Sequence, residues 1–279
     1  AKFTALNSLD GVLSDPRVEI VIGAKVDRLD TEAGRVRGAA FSKDGRDYLA
    51  RGDLFVLGAN AIYSPWIMLR SGLGGHGLGR YLCEKMLVYV EVKLDGLKHF
   101  DGGTATTGFN VSLLDGEHRR DRGAALMLIE NRMIDGLRPE WGRWRETMPV
   151  AAYIEDLPRE ACGVSASEGE FAVAEPFEWS DYAVRGREAF LAALPDLLNA
   201  LPVESIHYRE SSTASHIQCT TRMGRSREDS VVDSNLVHHD ARNLVVVGNS
   251  VFPTVGSANP SLTSAALSLR AADRLMRSA

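Results

Sequence analysis

Residues 243–278 constrain this chain most. They run from an apolar stretch, Asn243-Leu244-Val245-Val246-Val247, through small-residue loops at Gly248-Asn249-Ser250 and Gly256-Ser257-Ala258, and into a helical pattern at Asn259-Pro260. A β-branched apolar run of this length is the form of a buried strand. Asn is a good N-cap and Pro suits the first helical position. Leu262, Ala266, Leu269, Ala272 and Met276 then recur at helical spacing, so this face is expected to pack inward. A strand, a small-residue loop and a helix N-terminus together form a site for negative charge, because first-turn N–H groups have no partner within the helix.

The 279 residues suffice for one large domain or two smaller ones with true cores. A net charge of −5 favours neither nucleic acid nor an anionic membrane surface as partner. No apolar run reaches transmembrane length, and Ala1-Lys2-Phe3-Thr4 lacks the layout of a signal peptide. Cys83, Cys162 and Cys219 are odd in number and widely spaced, with no Cys-x-x-Cys, which points to a reducing compartment and a cytoplasmic setting.

Along the chain, Val18 to Val21 is a strand candidate. An alternating pattern begins at Gly23 and continues through Val36 to Phe41, with Asp44-Gly45 as a hairpin turn. Leu54 to Leu57 reads as another buried strand, then Gly58-Ala59-Asn60-Ala61 leads into a helix from about Ser64-Pro65 to Arg70. Gly72-Leu73-Gly74-Gly75-His76-Gly77 fits a dinucleotide fingerprint in letters only. The fingerprint needs a strand leading in and a helix following, whereas here a helix leads in. Leu87 to Leu94, Ala124 to Ile129 and Met148 to Ile154 alternate with period two, the pattern of an antiparallel sheet. Residues 115–122 read as a solvated loop, and Trp141 and Trp144 as candidates to cover a helix or sheet face. Residues 185–201 read as a helix interrupted at Pro195. The fold class is α/β (α+β).

A second segment, Ser215-His216-Ile217-Gln218-Cys219-Thr220-Thr221-Arg222-Met223-Gly224, completes a recognisable order. His216, Thr220, Met223, Val232-Asp233, Asn243-Leu244, Ser250, Pro253-Thr254 and Asn259-Pro260 follow one another. This resembles the C-terminal signature of the glucose-methanol-choline (GMC) oxidoreductases, flavoenzymes that oxidise alcohols and sugars. Two departures stand out. Cys219 occupies a position where the family prefers Gly, which takes a positive φ more cheaply. Gly248-Asn249 replace the usual Asp-Gly, a form closer to the sugar-oxidising, pyranose oxidase-like branch.

The resemblance implies FAD as cofactor and a sugar, glycoside or other alcohol as substrate. It implies an incomplete FAD-binding domain built from residues 1–86 and 213–279, with a mainly antiparallel substrate domain, 87–212, inserted between them. It puts Val26 near the adenine, and Ala59 and Asn60 near the adenosine ribose. Gly248, Asn249, Asn259, Pro260, Ser261 and Leu262 fall at the flavin end. His216 would be the base that takes the hydroxyl proton, since neutral imidazole suits that task near neutral pH. Asn259 would donate a hydrogen bond to the same substrate oxygen. The family's Gly-rich Rossmann opening is absent from this sequence, so a preceding segment or a separate partner chain is expected to supply it. The rival readings are a non-redox FAD-binding member, a lyase or decarboxylase, and a non-catalytic subunit of a flavoenzyme complex.

Other features read as structural. His238-His239-Asp240 looks metal-like, but adjacent histidines on a turn point different ways. Arg222 and Arg225 read as structural rather than phosphate-binding. Asn110-Val111-Ser112 is a glycosylation triplet without a sign of secretion.

Overall fold

The computed structural model describes residues 4–99, 105–131, 140–166, 172–174, 177–212 and 215–278. The expected domain boundary at 213 and the N-terminal Ala1, Lys2 and Phe3 lie outside these. Two single helical turns, α1 (Ala5–Ser8) and α2 (Asp10–Leu13), precede an antiparallel meander of β1 (Lys25–Glu32), β2 (Arg35–Lys43) and β3 (Arg46–Arg51). At the β2–β3 turn Asp44 and Gly45 have φ of 50° and 71°, the positive pair that matches the twist of a two-residue hairpin. The meander packs on α3 (Asn60–Arg70), where Ser71 Oγ accepts from Leu29 N at 2.7 Å. Val18 to Val21 form no strand, contrary to expectation, and Val18, Ile20 and Val21 are exposed. No described segment pairs with them, and an unpaired extended run leaves its backbone groups to water.

The expected C-terminal strand is β12 (Leu244–Val246), fully buried and paired in parallel with β4 (Phe55–Leu57). Asn243 joins this pair to the meander. Its Oδ1 accepts from Val36 N at 2.9 Å, while its Nδ2 donates to Val36 O at 2.8 Å and Asp53 O at 3.1 Å. β4 is not the buried strand that its apolar sequence suggested: Val56 is 60% exposed. Among the described residues only β12 pairs with it, so its outer face lacks a covering layer.

The middle of the chain forms a five-stranded antiparallel sheet. Its strands are β5 (Met86–Leu94), β6 (Ala105–Asn110), β7 (Ala125–Asn131), β8 (Thr147–Ile154) and β11 (Val203–Ser212), in the spatial order β11-β5-β8-β7-β6. The short hairpin of β9 (Val164–Ser165) and β10 (Val173–Ala174) stands apart from it. α4 (Asp181–Leu197) closes one face of the sheet with Ala183, Phe190 and Leu194. The helix begins earlier than expected because Ser180 Oγ caps Ala183 N. It also runs through Pro195, so the interruption expected there falls only two residues before the helix ends at Leu197. Gly186 allows the closest approach: a Cβ there would sit 2.6 Å from Gly123 O.

Residues 115–122 are more than a solvated loop. They contain a 3-10 turn whose Arg119 bonds the buried Glu155 through Nη2 at 2.7 Å and Nε at 3.2 Å. Trp141 covers nothing and is fully exposed, and Trp144 is 42% exposed.

Two hydrophobic clusters result. The first draws Leu29, Val36, Trp66, Leu82, Val232, Leu244 and Ala271 from the two ends of the chain together with Cys162 and Val164 from its middle, and the second draws Met86, Val90, Val150, Ile154 and Phe190 from the middle. The last helix, α5 (Ser261–Ser278), sits on the first cluster through Leu267, Ala271 and Leu275. The face expected to pack inward is instead turned out: Leu262, Leu269 and Met276 are 84%, 72% and 79% exposed. Both sides of this helix are therefore apolar, and only one is covered. No helix among the described residues is long and apolar enough to cross a membrane.

Asn243→Ala removes two buried hydrogen bonds to the N–H and C=O of Val36 and a half-buried one to Asp53 O. Urea unfolding should show a loss of about 2 kcal/mol or more.

Candidate active site

The chain leaves the first cluster for the sheet at residues 83–86 and comes back at 215–218. The two crossings are tied by one antiparallel bridge: Cys83 N donates to Gln218 O at 3.2 Å, and Gln218 N donates to Cys83 O at 2.9 Å. Counting two residues along each side from this bridge brings Lys85 opposite His216. Glu84, between them in register, accepts from His216 N through Oε1 at 3.2 Å. The His216 ring packs edge to face on Tyr153 of β8, with ring centroids 5.7 Å apart.

Lys85 is fully buried. Its Nζ lies 5.1 Å from the Tyr153 ring centroid and donates to Ser257 O at 3.1 Å and to Ala258 O. A longer bond, 3.5 Å, reaches Asn259 Oδ1. The Asn259 side-chain oxygen is thus engaged with Lys85, and the carbonyl of Pro260 accepts the first helical bond, from Ser264 N at 2.9 Å. The helix start falls one residue later than the expected N-cap at Asn259. Burial pushes the Lys85 ammonium down to about 8, against the opposing pull of Glu84. The His216 imidazole is held below its ordinary value by burial first and by the Lys85 charge second, with Glu84 acting the other way.

Beside this cluster lies a cavity of about 490 Å³ whose walls include Gly58, Asn60, Tyr63, Ser215, Ile217 and Gly248-Asn249. Asn60, Gly248 and Asn249 meet there, with the residues on either side of His216 but not His216 itself. Val26 and Ala59 line a second, more apolar cavity of about 270 Å³, and Gly58 contributes to both. Asn259, Pro260, Ser261 and Leu262 border neither of these cavities; Asn259, Ser261 and Leu262 are exposed and Pro260 is buried.

Residues 173–268 match the family model described as GMC oxidoreductase. This C-terminal part of the chain belongs to the GMC oxidoreductase family. It is 34% identical to the fructose dehydrogenase large subunit of Gluconobacter japonicus, over 92% of this chain and 54% of that protein. It is 26% identical to 2-methyl-1,2-propanediol dehydrogenase of Mycolicibacterium austroafricanum, over 91% and 53%. The chain thus spans about half the length of the curated relatives it matches. Among solved structures it is similar in fold to a formate oxidase, with a TM-score of 0.72 at 15% identity, covering 93% of this chain and 61% of that one. It is also similar to a pyridoxine 4-oxidase from Mesorbium loti, with a TM-score of 0.64 at 20% identity, covering 94% and 58%.

Cys219, where the family prefers Gly, has φ of 77°, and Asn60, which also stands where the family segment has Gly, has φ of 61°, the left-handed values for which glycine is suited. Asn60 tolerates this because its Oδ1 accepts from Ile62 N at 2.8 Å and Tyr63 N at 3.1 Å, capping α3. Cys219 is fully buried against Cys83 and Val255, and burial raises its thiol to about 12. The Gly-rich segment at 72–77 follows α3 and opens no helix. Its Gly74 carbonyl lies 2.8 Å from His238 Nε2, while Ala241 N donates to His238 Nδ1 at 2.9 Å. His239 Nε2 lies 2.8 Å from Ser230 Oγ, so the two rings serve different contacts.

Sequence reasoning missed Lys85, Glu84 and Tyr153. The register between 83–85 and 216–218 becomes visible only once the two crossings are paired.

His238 and His216 both have imidazoles that burial holds below the ordinary 6.5. Above that value native and unfolded chains are both neutral at these rings. As pH falls through it, the unfolded chain binds protons that the native chain takes up only at lower pH, so stability declines. The melting temperature should therefore fall between pH 7.5 and pH 5.5. His238→Gln should lower it at pH 7.5 and flatten the decline.

Proposed function

We propose that this chain is the C-terminal portion of an FAD-dependent oxidoreductase that oxidises the CH–OH group of a sugar, glycoside or other alcohol. His216 is the base, and Asn259 is the hydrogen-bonding partner of the substrate oxygen. The observation that carries the reading is the junction: one buried ammonium reaches the Asn259 amide and stands opposite His216, beside a cavity of about 490 Å³. The names of the relatives, which include dehydrogenases and oxidases of sugars and a diol, support the substrate class.

The residues present fit the cofactor. Gly248 has φ of 98°, and the space its Cβ would fill is open, so the backbone can be approached closely on the cavity wall. The cavity lies in the size range of small-molecule and cofactor sites. Asn60, Gly248 and Asn249 would hold one part of the group and Val26 and Ala59 another, with Pro260, Ser261 and Leu262 at the start of α5. When bound, the flavin supplies the hydride acceptor. His216 takes the hydroxyl proton; its Nδ1 is buried, which leaves Nε2 to meet the substrate. A neutral imidazole is the form this step requires, and burial together with the Lys85 charge favours it.

Residues 1–86 and 213–279 form the flavin domain and 87–212 the substrate domain in this reading; the two hydrophobic clusters follow this division except at Cys162 and Val164, which join the first. An N-terminal Rossmann half, on the same polypeptide or a partner chain, covers the exposed stripe of α5 and the outer face of β4. Support comes from the apolar residues left open there and from relatives about twice as long as the matched region. A cytoplasmic setting belongs to the same reading, supported by three buried free thiols.

In the complete enzyme, His216→Ala should keep its flavin yet lose about two to four orders of magnitude in the rate of flavin bleaching on anaerobic mixing with D-fructose or a panel of sugars and diols. An unchanged rate removes His216 from the chemistry. A wild-type flavin that no alcohol bleaches points to a lyase or decarboxylase, and a preparation without flavin to a non-catalytic subunit.

Leu269→Glu tests the missing half. It should cost the complete enzyme about 2 kcal/mol through lost apolar burial. In the 279-residue chain alone, where Leu269 is 72% exposed, the effect should stay within about 0.5 kcal/mol.

A further inference from the structure

We propose that Lys85 is a positioning residue of this site, one that fixes which end of the Asn259 amide faces the substrate and supplies the positive charge standing opposite His216. The proposal rests on the reading of His216 and Asn259 given above, and extends it to a residue outside the family signature described for this sequence.

The argument begins with the loop that carries Asn259. Residues 257–259 precede α5, and Asn259 itself is exposed. Such a loop needs an anchor if a short polar side chain on it is to be aimed. Lys85 provides one from across the junction, with its ammonium on two successive carbonyls, Ser257 O at 3.1 Å and Ala258 O. Three donors on one nitrogen can serve both carbonyls and the Asn259 Oδ1, 3.5 Å away. An amide whose oxygen is drawn to a cation must present its NH₂ end elsewhere. That is the end able to donate to a substrate hydroxyl or alkoxide oxygen. Without the cation, the amide could turn over and offer an acceptor in the same place.

The second half of the role is electrostatic. The groups facing His216 are Glu84 and Lys85 from the segment before β5 and the Tyr153 ring from β8. Glu84 favours a protonated imidazole and Lys85 a neutral one, and burial works in the same direction as Lys85. Lys85 is in turn pulled by Glu84 toward its charged form and by burial away from it. A fixed cation near the base also favours the alkoxide that forms as the proton leaves. Lys85 does not itself touch the reacting atoms.

The test uses the complete, flavin-loaded enzyme. Lys85→Met and Lys85→Gln both remove the charge, and Gln retains a donor for the loop. Nitrogen-15 histidine NMR should show the His216 titration midpoint raised by about half a pH unit or more in both variants. The acid limb of kcat/KM should move to higher pH by the same amount. In Lys85→Met, kcat should fall about tenfold with little change in KM, and adding Asn259→Ala should cost much less than it does in the wild type. Lys85→Gln should recover part of the kcat. Melting temperature does not discriminate, because unsatisfied carbonyls lower it whatever the role.

An unmoved His216 midpoint in both variants overturns the electrostatic role, and full additivity with Asn259→Ala overturns the positioning role. Should neither variant hold flavin, the unsubstituted enzyme still decides. Its Asn259 side-chain amide resonance should shift with a midpoint of about 8 as Lys85 loses its proton, and a flat trace overturns the proposal. The resonance measurements do not depend on turnover, so they stand even if no alcohol reduces the flavin and the functional reading falls.

Discussion

Two backbone hydrogen bonds between Cys83 and Gln218 hold this structure in its working form. They lie at two of the places where the chain passes between its two hydrophobic clusters. Gly79 N, donating to Thr220 O at 2.8 Å, and His216 N, donating to Glu84 Oε1 at 3.2 Å, tie the same two segments and fix the register between 83–85 and 216–218 with them. The same return segment is stitched to the loop after β12, with Thr221 N on Ser250 O and Met223 N on Val251 O, both at 2.8 Å. One strip of backbone therefore places the His216 segment and the start of the α5 approach on a common frame.

A cation enclosed at such a junction is costly to the fold. A buried ammonium loses its water, and carbonyl acceptors replace that water only in part. Met or Leu would fill the space next to Met86 with less penalty, and the three positions that follow Lys85, Met86, Leu87 and Val88, are of that kind. Charge and directed hydrogen bonding are what Lys85 adds to packing. The lowered value of its ammonium and the lowered value of the His216 imidazole have the same leading cause, burial, and each group modifies the other. A site of this design is electrostatically tight because the fold is locally strained in solvation terms.

The sheet, the β2–β3 hairpin, α3 and the strand–loop–helix at the C-terminus were legible in residue pattern, since period-two alternation, Asp-Gly and a β-branched run each report a local preference. The left-handed backbone at Cys219 and Asn60 was legible only by resemblance, because neither residue favours that conformation as glycine does. Lys85 was not legible at all. In Cys83-Glu84-Lys85-Met86 nothing distinguishes it from a surface lysine, and its meaning depends on a partner segment more than a hundred residues away. Val18 to Val21 and β4 failed in a different way. Apolar composition was correctly read as a demand for burial, but the described residues do not meet that demand.

That last failure and the geometry of α5 have one explanation. An amphipathic pattern tells which residues want cover without telling which segment provides it. Along α5, Leu267, Ala271 and Leu275 are covered by the first cluster, while Leu262, Leu269 and Met276 form a second apolar line with no neighbour among the described residues. An apolar helix face left open is the kind of surface that interaction with another segment covers. Val56 on β4 makes the same statement for the two-stranded parallel sheet, since parallel strands are ordinarily covered on both faces. Of these open residues Val56 borders the smaller cavity and those of α5 border neither, while the five-stranded sheet keeps β5 and β8 buried. The uneven distribution of exposure, rather than its total, is what supports setting the proposed N-terminal half against α5 and β4.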